Sequence, residues 1–326
     1  MIEREVITSE CYPIAPTSTP PKPTRIRVAS GCDTVDGDTR GGIMRIDIGD
    51  GVRLYVDVDG LGMMPVDGQM VKRPTLLLLH GGPGLDHSSY KLGMHEMSDV
   101  AQVVMYDHRG NGRSDRRTPD EWNLDTWADD VVRLCDALGI EKPIVLGASF
   151  GGFVAQRYLS RHPDHAAGVV LGSTLRRWST EASVEAFRRL GGDDAAEVAA
   201  AFWNNPNADN RARYLEVCGP LYTQQPGNIF TAIEPVRNTE LFAHWNDGEN
   251  RTYDFADDLA AARCPVLVLA GEHDPVTPIA GSEEIVAALP TELVQFERFA
   301  NSGHGVFRDE PGRAMRLLRE FVLAHG

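Results

Sequence analysis

Five short runs of the chain are apolar almost without interruption: Thr75-Leu76-Leu77-Leu78-Leu79, Val103-Val104-Met105-Tyr106, Ile144-Val145-Leu146, Gly168-Val169-Val170-Leu171 and Val266-Leu267-Val268-Leu269. A strand with one face in water alternates apolar and polar residues. A run that does not alternate needs cover on both faces, and that is the situation of a strand in a mostly parallel sheet packed between helices. Helical spacing lies between the runs. Leu124, Trp127, Ala128, Val131, Val132, Cys135 and Leu138 share one helical face, and Gly139 ends that element. A second helix follows Gly151, carries Val154, Tyr158 and Leu159, and stops before Pro163; a last one runs from Pro311 to Leu323 with Met315, Leu318, Phe321 and Val322 inward. This alternation predicts a doubly wound α/β domain with a mostly parallel sheet. Ahead of it, Ile43–Ile48 and Val52–Val56 alternate across Gly49-Asp50-Gly51, which predicts a hairpin.

The 326 residues divide unevenly under this reading. Residues 1–40, rich in Pro, Thr and Ser, are expected to form an extended or disordered leader. Residues 41–174 and 263–326 are expected to form the α/β core. Between them, 175–262 lacks strand signals and holds helical pieces, which predicts an inserted helical cap. Its aromatics Trp178, Phe202, Trp203, Tyr214, Tyr222, Phe242 and Trp245 are expected mainly to pack the cap on itself. The net charge of −15 argues against nucleic acid or an anionic membrane as partner. No stretch has the length of a membrane span, and Met1-Ile2-Glu3-Arg4-Glu5 shows no basic run followed by an apolar core, so no signal peptide is expected. The five cysteines (Cys11, Cys32, Cys135, Cys218 and Cys264) show no Cys-x-x-Cys pair and no zinc spacing, so a reduced, cytoplasmic setting is expected, with neither metal nor cofactor.

Chemistry enters at Gly147-Ala148-Ser149-Phe150-Gly151, directly after the run Ile144-Val145-Leu146. A buried strand must turn there into a helix, and small residues either side of Ser149 let the turn close. A Gly-rich turn in which Ser149 merely caps the helix is the alternative, and the motif alone does not exclude it. Three further segments weigh against it. Serine at its free pKa needs a base, and the base needs an orienting acid. Asp274 follows Val266–Ala270 in the turn Gly271-Glu272-His273-Asp274-Pro275, and His304 lies in Asn301-Ser302-Gly303-His304-Gly305. Both fall just past C-terminal ends of strands, where open α/β sheets bind ligands. The order Ser149, Asp274, His304 is that of serine hydrolases built on a strand–turn–helix nucleophile. Pro275 favours Asp274 over Glu272 and His273, and the glycines beside His304 are expected to let its ring swing freely. His80-Gly81-Gly82-Pro83-Gly84 follows the first apolar run; the Gly82 amide, with that of Phe150, is expected to face a developing oxyanion. Asp107-His108-Arg109-Gly110-Asn111-Gly112-Arg113-Ser114 is expected to brace the His80 loop, with Arg109 as the tie.

Together these segments resemble the α/β-hydrolase fold, and the form of His80–Gly84 and Asp107–Gly110 with a helical cap is similar to the prolyl iminopeptidase-like family of serine peptidases. The resemblance spans 43–326. It implies Ser149 as nucleophile, Asp274 as orienting acid, His304 as base, and the Gly82 and Phe150 amides as the oxyanion hole. It also implies an aminopeptidase acting on small or short-peptide substrates; a carboxylic ester or lactone hydrolase is the alternative, and a non-catalytic binding protein of the same fold a remote one. Two positions depart from the family pattern: Phe150 stands where tryptophan is usual, and the cap has no Trp-x-x-Trp-Glu stretch. Gly81, Glu216 and Glu240 are candidate substrate-binding residues, with Glu234 a further possible carboxylate for the substrate amine.

Overall fold

In the computed structural model, which describes residues 44–225 and 234–326, all five apolar runs are buried along their whole length. The leader expected over 1–40, Ile43, Cys11 and Cys32 lie outside the described residues. The strands are β1 (Met44–Asp47), β2 (Arg53–Asp59), β3 (Met63–Val66), β4 (Gln69–Lys72), β5 (Thr75–Leu79), β6 (Gln102–Tyr106), β7 (Ile144–Ala148), β8 (Gly168–Gly172), β9 (Val266–Gly271) and β10 (Val294–Phe299). Eight form one sheet in the order β1-β2-β6-β5-β7-β8-β9-β10. β1 and β2 make the expected hairpin, with Met44 opposite Val56, and β2 pairs antiparallel with β6; from β6 to β10 every pairing is parallel.

The helices are α1 (Ser88–Met94), α2 (Leu124–Leu138), α3 (Phe150–Arg161), α4 (Thr180–Asn204), α5 (Ala208–Val217), α6 (Thr239–Asp247), α7 (Ala256–Ala260), α8 (Ile279–Ala288), α9 (Val306–Asp309) and α10 (Pro311–His325). Asn123 caps α2 by accepting from Thr126 N–H at 2.8 Å, and Gly139 ends it at φ 67°. The pleat explains the unbroken apolar runs. Leu77, Leu79, Val145, Val169 and Val268 point to one face, beneath Trp127 and Val131 of α2 and Val154 and Tyr158 of α3. Their neighbours Leu76, Leu78, Leu146, Val170 and Leu267 point to the other, beneath Met94 of α1 and Leu318 and Phe321 of α10. Each fully buried aliphatic side chain contributes about 2 kcal/mol, so a polar residue on either face would be costly.

Helices α4 to α7 lie between β8 and β9, and α4 breaks at Gly192, where φ is 76°. α7 is tied to the core helix α3 by Arg157 and Asp258 at 3.0 Å. The β3–β4 hairpin escaped the sequence reading. Its signal is Asp67-Gly68, both at positive φ, as a two-residue turn of mirror-image type demands. Among the described residues no helix is long and apolar enough to cross a membrane. Cys135, Cys218 and Cys264 are buried and unpaired by disulfide.

Candidate active site

The link from β7 to α3 is a tight corner at Ser149, with φ 52° and ψ −120°, a conformation that non-glycine residues rarely hold. The surroundings impose it. Ser149 N–H donates to Gly172 O at 2.9 Å, and Thr174 Oγ1 donates to Ser149 O at 2.9 Å. The Ser149 side chain makes no capping bond to α3, so its hydroxyl is not spent on the helix terminus. The flanking glycines are sterically required. A Cβ on Gly147 would overlap Gly151 O, one on Gly151 would overlap Leu79 O, and one on Gly152 would lie 2.5 Å from Thr174 Oγ1. Gly151→Ala is therefore expected to destabilise the protein by about 3 kcal/mol, because backbone of β5 rather than a flexible side chain must move. A denaturant midpoint within error of the parent would show that the corner has slack.

The loops after β9 and β10 bring two side chains to this hydroxyl. Asp274, buried, accepts from Val276 N–H and Thr277 N–H, each at 2.8 Å, and from Thr277 Oγ1 at 2.6 Å. Its Oδ2 lies 2.9 Å from His304 Nδ1, and His304 Nε2 lies 3.1 Å from Ser149 Oγ. Glu272 turns away to Arg298 at 2.7 Å, and His273 is exposed. The His304 ring does not swing freely, contrary to the expectation from its glycine neighbours. Its backbone N–H donates to Tyr222 O at 2.8 Å, and the Tyr222 ring stands edge-on at 5.4 Å. A cap residue thus holds the imidazole in place, a contact that only tertiary docking could reveal.

The loop after β5 lies at the point where the strand order reverses, with β6 on one side of β5 and β7 on the other. Gly82 has φ 63°, and Gly81 packs so closely on the corner that a Cβ there would lie 3.2 Å from Ser149 Cβ and 3.3 Å from the Tyr90 hydroxyl. Tyr90, which the sequence reading passed over, therefore reaches this edge from α1. Phe150 is the first residue of α3, so its N–H is one that a helix leaves without an intrahelical partner.

The segment after β6 does brace this loop, but not through Arg109. Arg109 turns to α2, where Asp130 accepts from its Nε at 2.9 Å and its Nη2 at 2.7 Å, and Glu121 takes the remaining edge. The ties to the loop come from neighbours. His108 N–H donates to His80 Nε2 at 3.1 Å, Gly84 N–H donates to Asn111 Oδ1 at 2.6 Å, and Asp107 Oδ1 lies 2.7 Å from His87 Nδ1. The other His87 nitrogen meets Asp57 Oδ2 at 3.0 Å. Burial alone would raise the Asp107 carboxyl, yet the His87 hydrogen bond and the nearby imidazoles carry it down to about 2. Burial alone would lower His87, yet its hydrogen bonds to Asp107 and Asp57 raise it.

The sign of the pH effect follows. A depressed carboxyl contributes stability above its unfolded value of about 4, lost as pH falls towards 2; a raised imidazole contributes below its unfolded value of about 6.5, lost as pH rises through its folded value. His87→Gln is expected to cost about 2 kcal/mol at pH 5.5 and clearly less at pH 9. Urea unfolding at the two pH values checks this, and a gap that is constant or wider at pH 9 contradicts it.

A cavity of about 740 Å³ opens over Ser149 and His304, walled by the cap, by Gly81–Leu85, and by α1 and α10. Trp178, Phe202, Trp203, Tyr214, Tyr222, Phe242 and Trp245 all line it, so these aromatics face the cavity as well as doing the packing that was mainly expected of them. Phe202 stacks on Tyr214 at 4.3 Å and Trp178 meets Trp203 at 4.7 Å, which makes this wall apolar. The candidate carboxylates do not reach it. Glu216 is exposed and pairs with Arg213 at 3.2 Å, and Glu234 and Glu240 are exposed and off the lining. Glu216 on α5, Glu240 on α6 and Glu234 in the segment ahead of α6 are all turned outward, which sequence position alone could not tell. Among the described residues Glu96 is the one acidic side chain on the lining.

The sequence matches the family described as alpha/beta hydrolase fold over residues 74–311. A proline iminopeptidase of Lactiplantibacillus plantarum is 30% identical over 280 residues, spanning 79% of this chain and 95% of that protein. The proline iminopeptidase of Lactobacillus delbrueckii subsp. bulgaricus is 27% identical over 284 residues, spanning 79% and 92%. Among solved structures, the proline iminopeptidase of Mycobacterium smegmatis superposes with a TM-score of 0.67 at 23% identity, over 87% of this chain and 98% of that one. An esterase of Exiguobacterium antarcticum superposes at 0.63 and 19% identity, over 85% and 98%. At these identities the two structures bear on the fold alone.

Proposed function

The chain belongs to the alpha/beta hydrolase fold family and is a hydrolase, and from that premise we propose that it cleaves carboxylic esters or lactones through a serine acyl-enzyme. The observation that carries this is the unbroken line from Asp274 Oδ2 to His304 Nδ1 at 2.9 Å and from His304 Nε2 to Ser149 Oγ at 3.1 Å, opening on an apolar cavity. Ser149 Oγ attacks the substrate carbonyl as His304 Nε2 takes its proton. Asp274 holds the Nδ1–H and stabilises the imidazolium. The amides of Gly82 and Phe150 donate to the oxyanion, each contributing about 3 kcal/mol. Collapse expels the leaving group, which takes the proton from His304. Water then attacks the acyl-enzyme with the same histidine as base, and the acid is released.

Esters are favoured over N-terminal peptides by the wall chemistry. An aminopeptidase must neutralise a substrate ammonium beside the scissile bond, and a buried unpaired charge is costly. Among the described residues the cap lines the cavity with aromatic rings and no carboxylate. The second reading, an aminopeptidase of the proline iminopeptidase type, draws on the names of the relatives and on Glu96, which lines the cavity.

Two assays test these readings. A fluorophosphonate probe is expected to label Ser149, and no labelling would leave the binding-protein alternative. Short aryl esters are expected to turn over at least about a hundredfold faster than proline or alanine arylamides, a difference of about 2.7 kcal/mol in the barrier. Arylamide turnover matching that of the esters would establish the aminopeptidase instead.

A further inference from the structure

In a chain of net charge −15 an arginine readily finds a carboxylate. Arg213 on α5 has both Asp194 and Glu216 within 4 Å. Two residues earlier on the same helix, Arg211 lines the cavity without an acidic partner among the described residues, and so does Arg237. The two come from different parts of the cap, one from α5 and one from the segment leading into α6. Burial of Arg211, and after it the like charge of Arg237, push the Arg211 guanidinium below its ordinary value. A third guanidinium, that of Arg116, adds to the positive field, since it donates to the carbonyls of Gly110 at 3.2 Å and Arg237 at 3.4 Å rather than to a carboxylate.

We infer that Arg211 and Arg237 form an anion-binding subsite at the cavity rim, selecting substrates that carry a carboxylate at the end remote from the scissile carbonyl. Like charges turned to one space repel, and a carboxylate placed between them reverses the sign of that interaction. Guanidinium suits the task because its planar fork matches both carboxylate oxygens. The subsite is also held at a set place relative to Ser149. Asn238, next to Arg237, donates its N–H to Gly84 O at 2.7 Å and its Nδ2–H to Gly110 O at 2.8 Å, so this stretch of cap is pinned to the loop that carries Gly82. Phe242, Tyr214 and Leu215 line the same cavity and supply apolar wall for the body of such a substrate. The two arginines also disfavour a substrate ammonium.

The inference deepens the ester-hydrolase reading and rests on it for the identity of the reacting bond. The test compares mono-4-nitrophenyl esters of glutaric, adipic and suberic acid with the same esters capped as methyl esters. At the best chain length the free acid is expected to exceed its capped partner by about tenfold in kcat/KM, as one well-placed charge pair allows. That preference is expected to shrink with added salt, and in the double variant Arg211→Gln/Arg237→Gln the two forms converge to within about twofold. Equal rates for free and capped forms in the parent, or a preference that survives in the double variant, would overturn the subsite while leaving the hydrolase intact. Should no ester turn over, the hydrolase reading fails on its own, and calorimetry with suberate decides the subsite: binding to the parent that is lost in the double variant supports it, and no binding to the parent overturns it.

Discussion

Ser149→Ala is expected to lower kcat/KM on an activated aryl ester by about 10⁵-fold and to abolish fluorophosphonate labelling, with little change in stability. The asymmetry comes from what the hydroxyl does in the folded chain. It makes no capping bond to α3, and the corner is held by Ser149 N–H to Gly172 O and by Thr174 Oγ1 to Ser149 O, both backbone contacts that alanine keeps. What is lost is the proposed attacking atom and one 3.1 Å contact to His304. Residual activity of about 10³ over water is expected to remain, because the proposed oxyanion donors, the amides of Gly82 and Phe150, are untouched by the substitution. Initial rates on a short 4-nitrophenyl ester, with an unfolding curve beside them, check the prediction. Activity above about one per cent of the parent would move the nucleophile elsewhere.

Asp274→Asn is expected to cost about 10³ to 10⁴ in kcat at nearly unchanged KM. The carboxylate receives four donors, from Val276 N–H, Thr277 N–H, Thr277 Oγ1 and His304 Nδ1. A carboxamide offers one oxygen and one NH₂, and the two backbone donors on Oδ1 claim the oxygen. The NH₂ then faces His304 Nδ1 at the Oδ2 position. It forces the tautomer with hydrogen on Nε2, the atom that must accept the Ser149 proton. The His304 backbone stays tied to Tyr222 O and the imidazole stays against the Tyr222 ring, yet it carries its hydrogen on the wrong nitrogen. A loss below tenfold would mean that Thr277 Oγ1, 3.2 Å from His304 Nδ1, orients the ring without the acid.

Particular residues show what could be read from the chain and what could not. The apolar runs were legible because a strand covered on both faces leaves no position for a polar side chain. Leu76 and Leu77 face opposite helical layers, and both are fully buried. The corner at Ser149 was legible because its steric demands fall on immediate neighbours: Gly147, Gly151 and Gly152 meet backbone or Thr174 that a methyl group would strike. Arg109 was read one loop too far, since the chain does not disclose that Asp130 on α2 waits beside it. The β3–β4 hairpin was overlooked because Met63, Met64, Met70 and Val71 are all exposed, so no face alternates and only Asp67-Gly68 marks the turn.

The cap divides most sharply. Its helical character and aromatic content were plain in the sequence, but which residues enter the cavity was not. Glu216 and Arg211 lie five apart on α5, and one points to solvent while the other lines the space above Ser149. Local sequence determined the layered sheet, the strained corner and the order of Ser149, Asp274 and His304, because each depends on neighbours in the chain or on the covering of a strand's two faces. Tertiary docking alone decided the fixed imidazole, the tie of the His80 loop and the charge of the cavity rim, because these arise where side chains far apart in sequence share one space.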